Sequence, residues 1–199
     1  MTQLLKLDLG CGKIPQQGYT GVDIGFSAEN IVQSDALTYL KSLPAESVSH
    51  VYSRHYLEHM AFEELQTLLK EIDRVLVKGG EMKFIVPHFS NPYYYSDPTH
   101  KTPFGVHSFS YLCEKTCLRR YVPNYVAIPG WSLENVRLNF VSMFNFKLLG
   151  IKFPKPANIL NRLVNLSTYT AEVFERYFSF IFTIYEVEFD IRKGKQAAP

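Results

Sequence analysis

Leu7-Asp8-Leu9-Gly10-Cys11-Gly12, followed by Gly21-Val22-Asp23, is the stretch on which the fold of this 199-residue chain turns. A short apolar run stopped by glycines reads as a strand running into a tight turn, where the missing Cβ lets the backbone approach a ligand. Leu4 to Leu9 is the first strand, Tyr19 to Ile24 the second, Ile31 to Ser34 the third and Val48 to Ser53 the fourth. Phe62, Leu65, Leu69, Ile72 and Leu76 then recur at helical spacing, and Lys78-Gly79-Gly80 reads as the stop of that helix. Met82 to Val86 is a fifth, buried strand. Strands alternating with turns and helices argue for an α/β fold around a mostly parallel sheet.

The second half is less regular. Residues 88–133 are rich in aromatics, histidines and prolines, with a weak helical signal at Phe109 to Leu118, and read as a substrate lid within a single domain spanning 1–199. Val136, Leu138 and Phe140 predict a strand, and Tyr169 to Phe182 an aromatic helix. Tyr185 to Arg192 alternates apolar and charged residues, which predicts a strand with one wet face near a sheet edge.

Composition narrows the function classes. Hydrophobic residues at 46% and charged residues at 20% fit a globular protein, and a net charge of +2 is too mild for a nucleic-acid footprint. No run approaches the ~18 apolar residues of a membrane span. The N-terminus lacks the pattern of a secretory signal, and three cysteines make no disulfide framework, so a cytoplasmic location is expected.

Asp23 closes the second strand and Asp35 follows the third, in register with the Gly10-Cys11-Gly12 turn. A carboxylate at the first position suits a ribose, and one at the second an adenine amino group. NAD uses the same logic, but its fingerprint needs a third glycine and a helix to hold the pyrophosphate. Here Asp23 comes eleven residues after Gly12, too few for a full crossover helix. S-adenosylmethionine has no pyrophosphate and is the preferred cofactor.

With these motifs on the page, the sequence resembles the class I S-adenosylmethionine-dependent methyltransferases of the type 11 group. Within them it looks like the short bacterial enzymes associated with polysaccharide and cell-surface glycan biosynthesis. The resemblance rests on Asp8-Leu9-Gly10-Cys11-Gly12, Gly21-Val22-Asp23, His55-Tyr56-Leu57-Glu58-His59, Arg74 to Gly80, Asp97-Pro98-Thr99-His100 and Tyr185-Glu186-Val187. It implies a Rossmann-like, seven-stranded sheet with helices on both faces, one antiparallel strand, and an irregular lid after the fifth strand. It further implies that Asp8, Gly10, Cys11 and Gly12 border the methionine portion of the donor. Asp23 would hold the ribose, Ile24 would pack on the adenine, Asp35 and Ala36 would face its edge, and the backbone at Arg54 and His55 would approach the sulfonium. Ser49-His50-Val51 departs from the family, whose fourth strand often opens with aspartate.

An O-methyltransferase acting on a sugar or glycan precursor is the expected activity, with a histidine as general base. His100 is the first candidate, oriented by Asp97, and His55 lines the pocket; His107 and His88 are weaker. His55-x-x-Glu58-His59 has the order of one metalloprotease class but lacks its distal ligand. A divalent metal on those three residues is the alternative to Glu58 and His59 bracing the helix start, and no metal ligand is assigned. Cys113 and Cys117 are spaced to share a helix face as core thiols. The rival activities are a small-molecule methyltransferase for phenols, quinone precursors or amines, and a non-catalytic donor-binding module. Expected partners are the acceptor alone, with no nucleic acid and no transmembrane segment; the aromatic helix leaves a homodimer open.

Overall fold

The computed structural model describes residues 4–123, 125–141, 147–148, 151–152 and 156–194. Five parallel strands come first: β1 (Leu5–Leu9), β2 (Thr20–Asp23), β3 (Ile31–Gln33), β4 (Val48–Arg54) and β5 (Leu76–Pro87). Helix α1 (Ala36–Ser42) precedes β4, and α2 (Phe62–Val75) precedes β5. After β5 come α3 (Pro92–Ser96), β6 (Cys113–Thr116) and β7 (Ile128–Asn139). A two-residue hairpin follows, β8 (Lys147–Leu148) with β9 (Ile151–Lys152), then α4 (Pro156–Val164), α5 (Thr168–Phe178) and β10 (Glu186–Lys193). The main sheet has the order β3-β2-β1-β4-β5-β10-β7-β6, and β10 is its one antiparallel member.

Register sorts the side chains into rows. Leu7, Val51, Met82, Ile191 and Leu133 lie side by side across five strands, as do Leu9, Ser53, Phe84, Phe189 and Val136. These rows face the core, where Leu65, Leu68, Leu69, Ile72 and Val75 of α2 join Ala36 and Leu40 of α1 and Ala171 of α5. The alternate rows are polar: Lys6, His50, Glu81, Arg192; then Asp8, Tyr52, Lys83, Asp190, Asn135. Lys83 pairs with Glu188 and Asp190, and Arg192 with Glu81, so this face satisfies itself. The crossovers that would put helices on this face, 10–19 and 24–30, are too short to form them.

The structure departs from the sequence reading at five points. The sheet has eight strands rather than seven, because the stretch read as a weak helix supplies β6 at the edge. Cys113 is therefore a strand residue and shares no helix with Cys117; burial pushes its thiol up to about 12. Strand β10 is not near an edge but lies between β5 and β7. Helix α2 ends at Val75, and Lys78-Gly79-Gly80 forms an irregularity inside β5, with Gly79 at φ +81°. The C-cap composition was right for a left-handed residue, but pairing of Leu76 with Val48 had already ended the helix. Helix α5 stops at Phe178, short of the predicted Phe182, and residues 128–133 of the expected lid belong to β7.

Candidate active site

The carboxyl ends of β1, β2 and β4 lie side by side, and in open α/β sheets ligands bind outside such strand ends. Gly10 sits at φ +69° and Gly12 at φ +59°, so both need glycine for conformation alone. A Cβ on Gly10 would meet the Tyr56 ring at 2.4 Å, whereas one on Gly12 would meet nothing within 4 Å and opens onto free space. Cys11 lies against Gly21, where a Cβ would come within 2.5 Å of its sulfur, and burial pushes its thiol up to about 11. The sequence thus explains the whole turn: three glycines let the β1 end, Tyr56 and β2 pack closely while leaving a cradle.

Asp23 and Asp8 hold this turn in place. Asp23 accepts the Gly12 amide through Oδ2 and the Gly25 amide through Oδ1, each at 2.8 Å. Asp8 is 3% exposed and accepts the Gln16 amide at 2.7 Å. Its pKa is raised to about 6, chiefly by burial, against the lowering effect of that amide and with the help of the Asp23 charge. Asp35 caps α1, taking the Thr38 amide and hydroxyl on Oδ1 at 2.8 and 2.9 Å. Ala36 is buried behind it, and Ile24 projects with 74% of its surface exposed, an apolar side chain with nothing over it. Cradle, acidic pair and open apolar side chain fit an adenosyl ligand carrying a cationic end.

Beyond β4 the chain turns sharply at His55, whose φ of +54° is uncommon for a non-glycine residue and marks a strained site. The turn sends Tyr56 onto Gly10 and His55 toward β10. Tyr56 was not singled out from sequence, yet its ring lies against Gly10, and its hydroxyl is pushed up to about 12 by burial and by the charges of Asp35 and Asp23. Glu186 was missed as well. It is 5% exposed and accepts Arg54 Nη2 at 2.6 Å and His55 Nε2 at 2.7 Å. Burial would lower the His55 pKa, but its bonds to Glu186 and Glu58 outweigh burial and raise it to about 9. His55 is therefore a cation at neutral pH. Burial alone would raise the Glu186 pKa; bonds to His55 and Arg54 instead hold it below the usual range.

His100 reaches the same place by a backbone route. The Lys101 and Thr102 amides donate to the Glu58 carbonyl at 2.7 and 3.1 Å, and the Thr102 hydroxyl donates to Met60 O at 2.7 Å. His100 Nδ1 lies 2.8 Å from the Tyr94 carbonyl, which has no proton, so Nδ1 is the donor of this bond. Nε2 faces Asp97 Oδ2 at 3.7 Å and Glu58 Oε1 at 3.9 Å. The Tyr94 carbonyl thus orients the ring. Asp97 instead accepts the Thr99 hydroxyl and amide, at 2.6 and 2.8 Å, which lowers its pKa. These residues, with His55, His59, Tyr93 and Tyr185, line a cavity of about 220 Å³. The metal-capable cluster is Glu58, His59 and His100, with donor atoms within 4.8 Å, rather than the His55 set considered from sequence. His88 is fully buried on Glu175 and Ser90 and does not reach this cavity, while His107 lies in a separate cleft. Phe104, Phe109 and Trp131 are core residues and form no part of the cavity wall.

Residues 7–84, which contain the donor groove from Asp8 to His55, match the family described as a methyltransferase domain. Those residues are 78 of the chain's 199, and over them the chain is similar to a methyltransferase domain. Solved structures agree on the fold. A S-adenosylmethionine-dependent methyltransferase from Archaeoglobus fulgidus is 23% identical, with a TM-score of 0.60 over 96% of this chain and 86% of that one. One from Mesorhizobium loti is 15% identical, with a TM-score of 0.52 over 95% and 90%. The partner of the Haloferax volcanii Trm112 methyltransferase activator, solved in their complex, is 14% identical, with a TM-score of 0.52 over 98% and 84%. No curated protein matches. His100 and Asp97 lie outside the matched stretch. No described helix is long and apolar enough to cross a membrane.

Proposed function

We propose that the chain O-methylates a hydroxyl of a sugar or glycan precursor, with His100 as general base. The observation that carries this reading is the His100 imidazole. Its Nδ1 is held by the Tyr94 carbonyl, and the ring lines a small cavity together with His55. S-adenosylmethionine supplies an electrophilic methyl carbon on a positively charged sulfur. Asp8 carries the buried negative charge that suits the donor's ammonium, and Gly10, Cys11 and Gly12 leave room for its methionine portion. Asp23 is placed for the ribose, Ile24 for the adenine face, and Asp35 with Ala36 for the adenine edge. Arg54 and His55 close the sulfonium end.

His100 Nε2 takes the proton of the acceptor hydroxyl as its oxygen forms a bond to the methyl carbon. The carbon–sulfur bond breaks with its electron pair left on sulfur, giving a methyl ether and the demethylated donor. Alignment supplies the larger part of such a rate enhancement and the base adds about 10²–10⁴-fold. His55, hydrogen-bonded to Glu186 and facing Glu58 at 3.5 Å, is a positioning residue rather than a base. A cytoplasmic site of action and a glycan-assembly setting accompany this reading, and the chain's second copy as a homodimer partner is left to sedimentation.

Two measurements test it. S-adenosylhomocysteine at about 100 times its dissociation constant should add roughly 2.7 kcal/mol of stability, and NAD none; the shift should collapse in Asp23→Ala. Methyl transfer to hexose and nucleotide-sugar acceptors should fall about 10²–10⁴-fold in His100→Ala with donor affinity retained. Turnover indifferent to His100 would remove the base assignment.

A further inference from the structure

Two cavities behind the lid share a wall and have opposite chemistry. The first, of about 520 Å³, is lined by Phe62, Leu65, Phe104, Tyr111, Leu112 and Val126. The second, of about 890 Å³, carries Arg119, Arg120 and Arg176. Phe89, His107, Arg120 and Glu175 line both, so the two adjoin. Each volume is in the range of a small-molecule site.

The charge of the second cavity is what makes it informative. Two carboxylates border it, but neither neutralises a guanidinium. Glu172 accepts the backbone amides of Arg119 and Arg120 at 3.1 Å each and faces His107 Nε2 at 3.5 Å. Glu175 accepts the Val106 amide at 2.6 Å and lies 2.8 Å from His88 Nε2. Among the described residues no carboxylate pairs with the guanidinium of Arg119, Arg120 or Arg176. Arg119 stacks on Tyr169 at 4.3 Å and Arg176 on Tyr177 at 5.3 Å, which holds the planar groups without discharging them. Three guanidinium groups that line one cavity, without a carboxylate partner among the described residues, can donate to phosphate oxygens. His107 adds a buried Nδ1 without a partner, and burial lowers its pKa, so it offers a neutral ring at the junction.

We infer that this composite cleft binds the far end of the methyl acceptor, a phosphate ester among the three arginines with an apolar chain in the adjoining cavity. The inference rests on the acceptor reading above, and it narrows the substrate class to phosphate-linked amphiphiles. One loop serves both places: His100 lines the small cavity beside His55, and Thr102 to Gly105, which follow it in the chain, line the apolar cleft.

Decyl phosphate, kept below its micelle-forming concentration, is the probe, with decyl glucoside and inorganic phosphate as comparators in titration calorimetry. Decyl phosphate should bind at least about tenfold more tightly than either comparator. The double variant Arg120→Ala, Arg176→Ala should lose at least about tenfold, the equivalent of one charge-assisted bond. Both arginines are exposed, so an unchanged melting temperature certifies the fold of that variant. His100→Ala should leave this binding intact, which separates failure of the cleft from failure of the proton-transfer reading. Equal affinity for decyl phosphate and decyl glucoside, or indifference to the arginines, would overturn the proposal. Capture by phosphatidylglycerol vesicles that decyl phosphate fails to displace would overturn it as well, by locating the anion site on an outer surface.

Discussion

Asp8→Asn should make the ligand-free protein more stable and the donor complex weaker. Asp8 is nearly sealed from solvent, and its pKa rises from the ordinary 3.8 to about 6. A carboxyl whose folded pKa lies above its unfolded one binds more protons when folded, so its contribution to stability falls as pH rises from about 4 through about 6. The difference corresponds to about 3 kcal/mol at pH 8 and roughly half of that at pH 5. Asparagine keeps an acceptor for the Gln16 amide and carries no charge, so it recovers most of the loss. For a chain of this length, that is a rise in melting temperature of about 6–12 °C at pH 8 and a smaller one at pH 5. The same substitution removes the anion offered to the donor's ammonium, and the affinity for S-adenosylhomocysteine should drop at least about tenfold. Calorimetric melts of both proteins at the two pH values, with and without S-adenosylhomocysteine, read all three quantities. A variant no more stable than its parent at pH 8, or a gap that fails to shrink at pH 5, refutes the assignment of Asp8 as a buried charge held for a ligand.

Gly10→Ala should destabilise by about 2–4 kcal/mol, from the left-handed backbone plus the clash with Tyr56, whereas Gly12→Ala should show only the smaller backbone cost; adding Tyr56→Ala to the Gly10 variant should restore the difference, as urea midpoints will show. The His55 cation, with its pKa raised to about 9, contributes stability that is complete below about pH 6.5 and lost as pH climbs through 9. The stability gap between the parent and Glu186→Gln should accordingly narrow between pH 6.5 and 9.5, and a gap constant over that window would place the charge elsewhere. Trp131→Phe should cost about 1 kcal/mol or more, since the indole N–H donates to Asp73 at 2.8 Å and its loss leaves a cavity beneath β7.

The donor half was readable from sequence because its chemistry is local. Gly10, Gly12 and Asp23 lie within fourteen positions, and a strand–turn–strand spacing brings them together whatever happens beyond. The acceptor half is assembled by contacts that no local pattern encodes. His100 comes to Glu58 through two backbone amides more than forty residues from the carbonyl they share, and composition says nothing about that bond. Glu186 looked like one more charged residue on a wet strand face, since Glu188, Asp190 and Arg192 follow it at the same spacing. Its burial depends on Arg54 and His55, which arrive from 132 and 131 positions away. Lys78-Gly79-Gly80 misled for a related reason: glycine after a basic residue signals a left-handed turn, and the structure used that turn inside a strand.

The short crossover after β1 has a consequence for how the donor is held. A helix at 10–19 would fix its own N-terminus by packing; this loop has no such support, and its order comes from Asp8 on Gln16, Asp23 on Gly12 and Gly25, and Cys11 against Gly21. The groups that would grip the donor are therefore the groups that shape its cradle. An ionised carboxylate can accept about four hydrogen bonds, so Asp23 can take ribose hydroxyls without releasing either amide. Donor binding then tightens a loop that is already formed, and the two roles of Asp23 separate by chemistry: Asp23→Asn keeps one amide acceptor and part of the loop order, while Asp23→Ala loses both. If the two variants unfold alike and bind S-adenosylhomocysteine alike, loop order and ligand contact do not share this side chain.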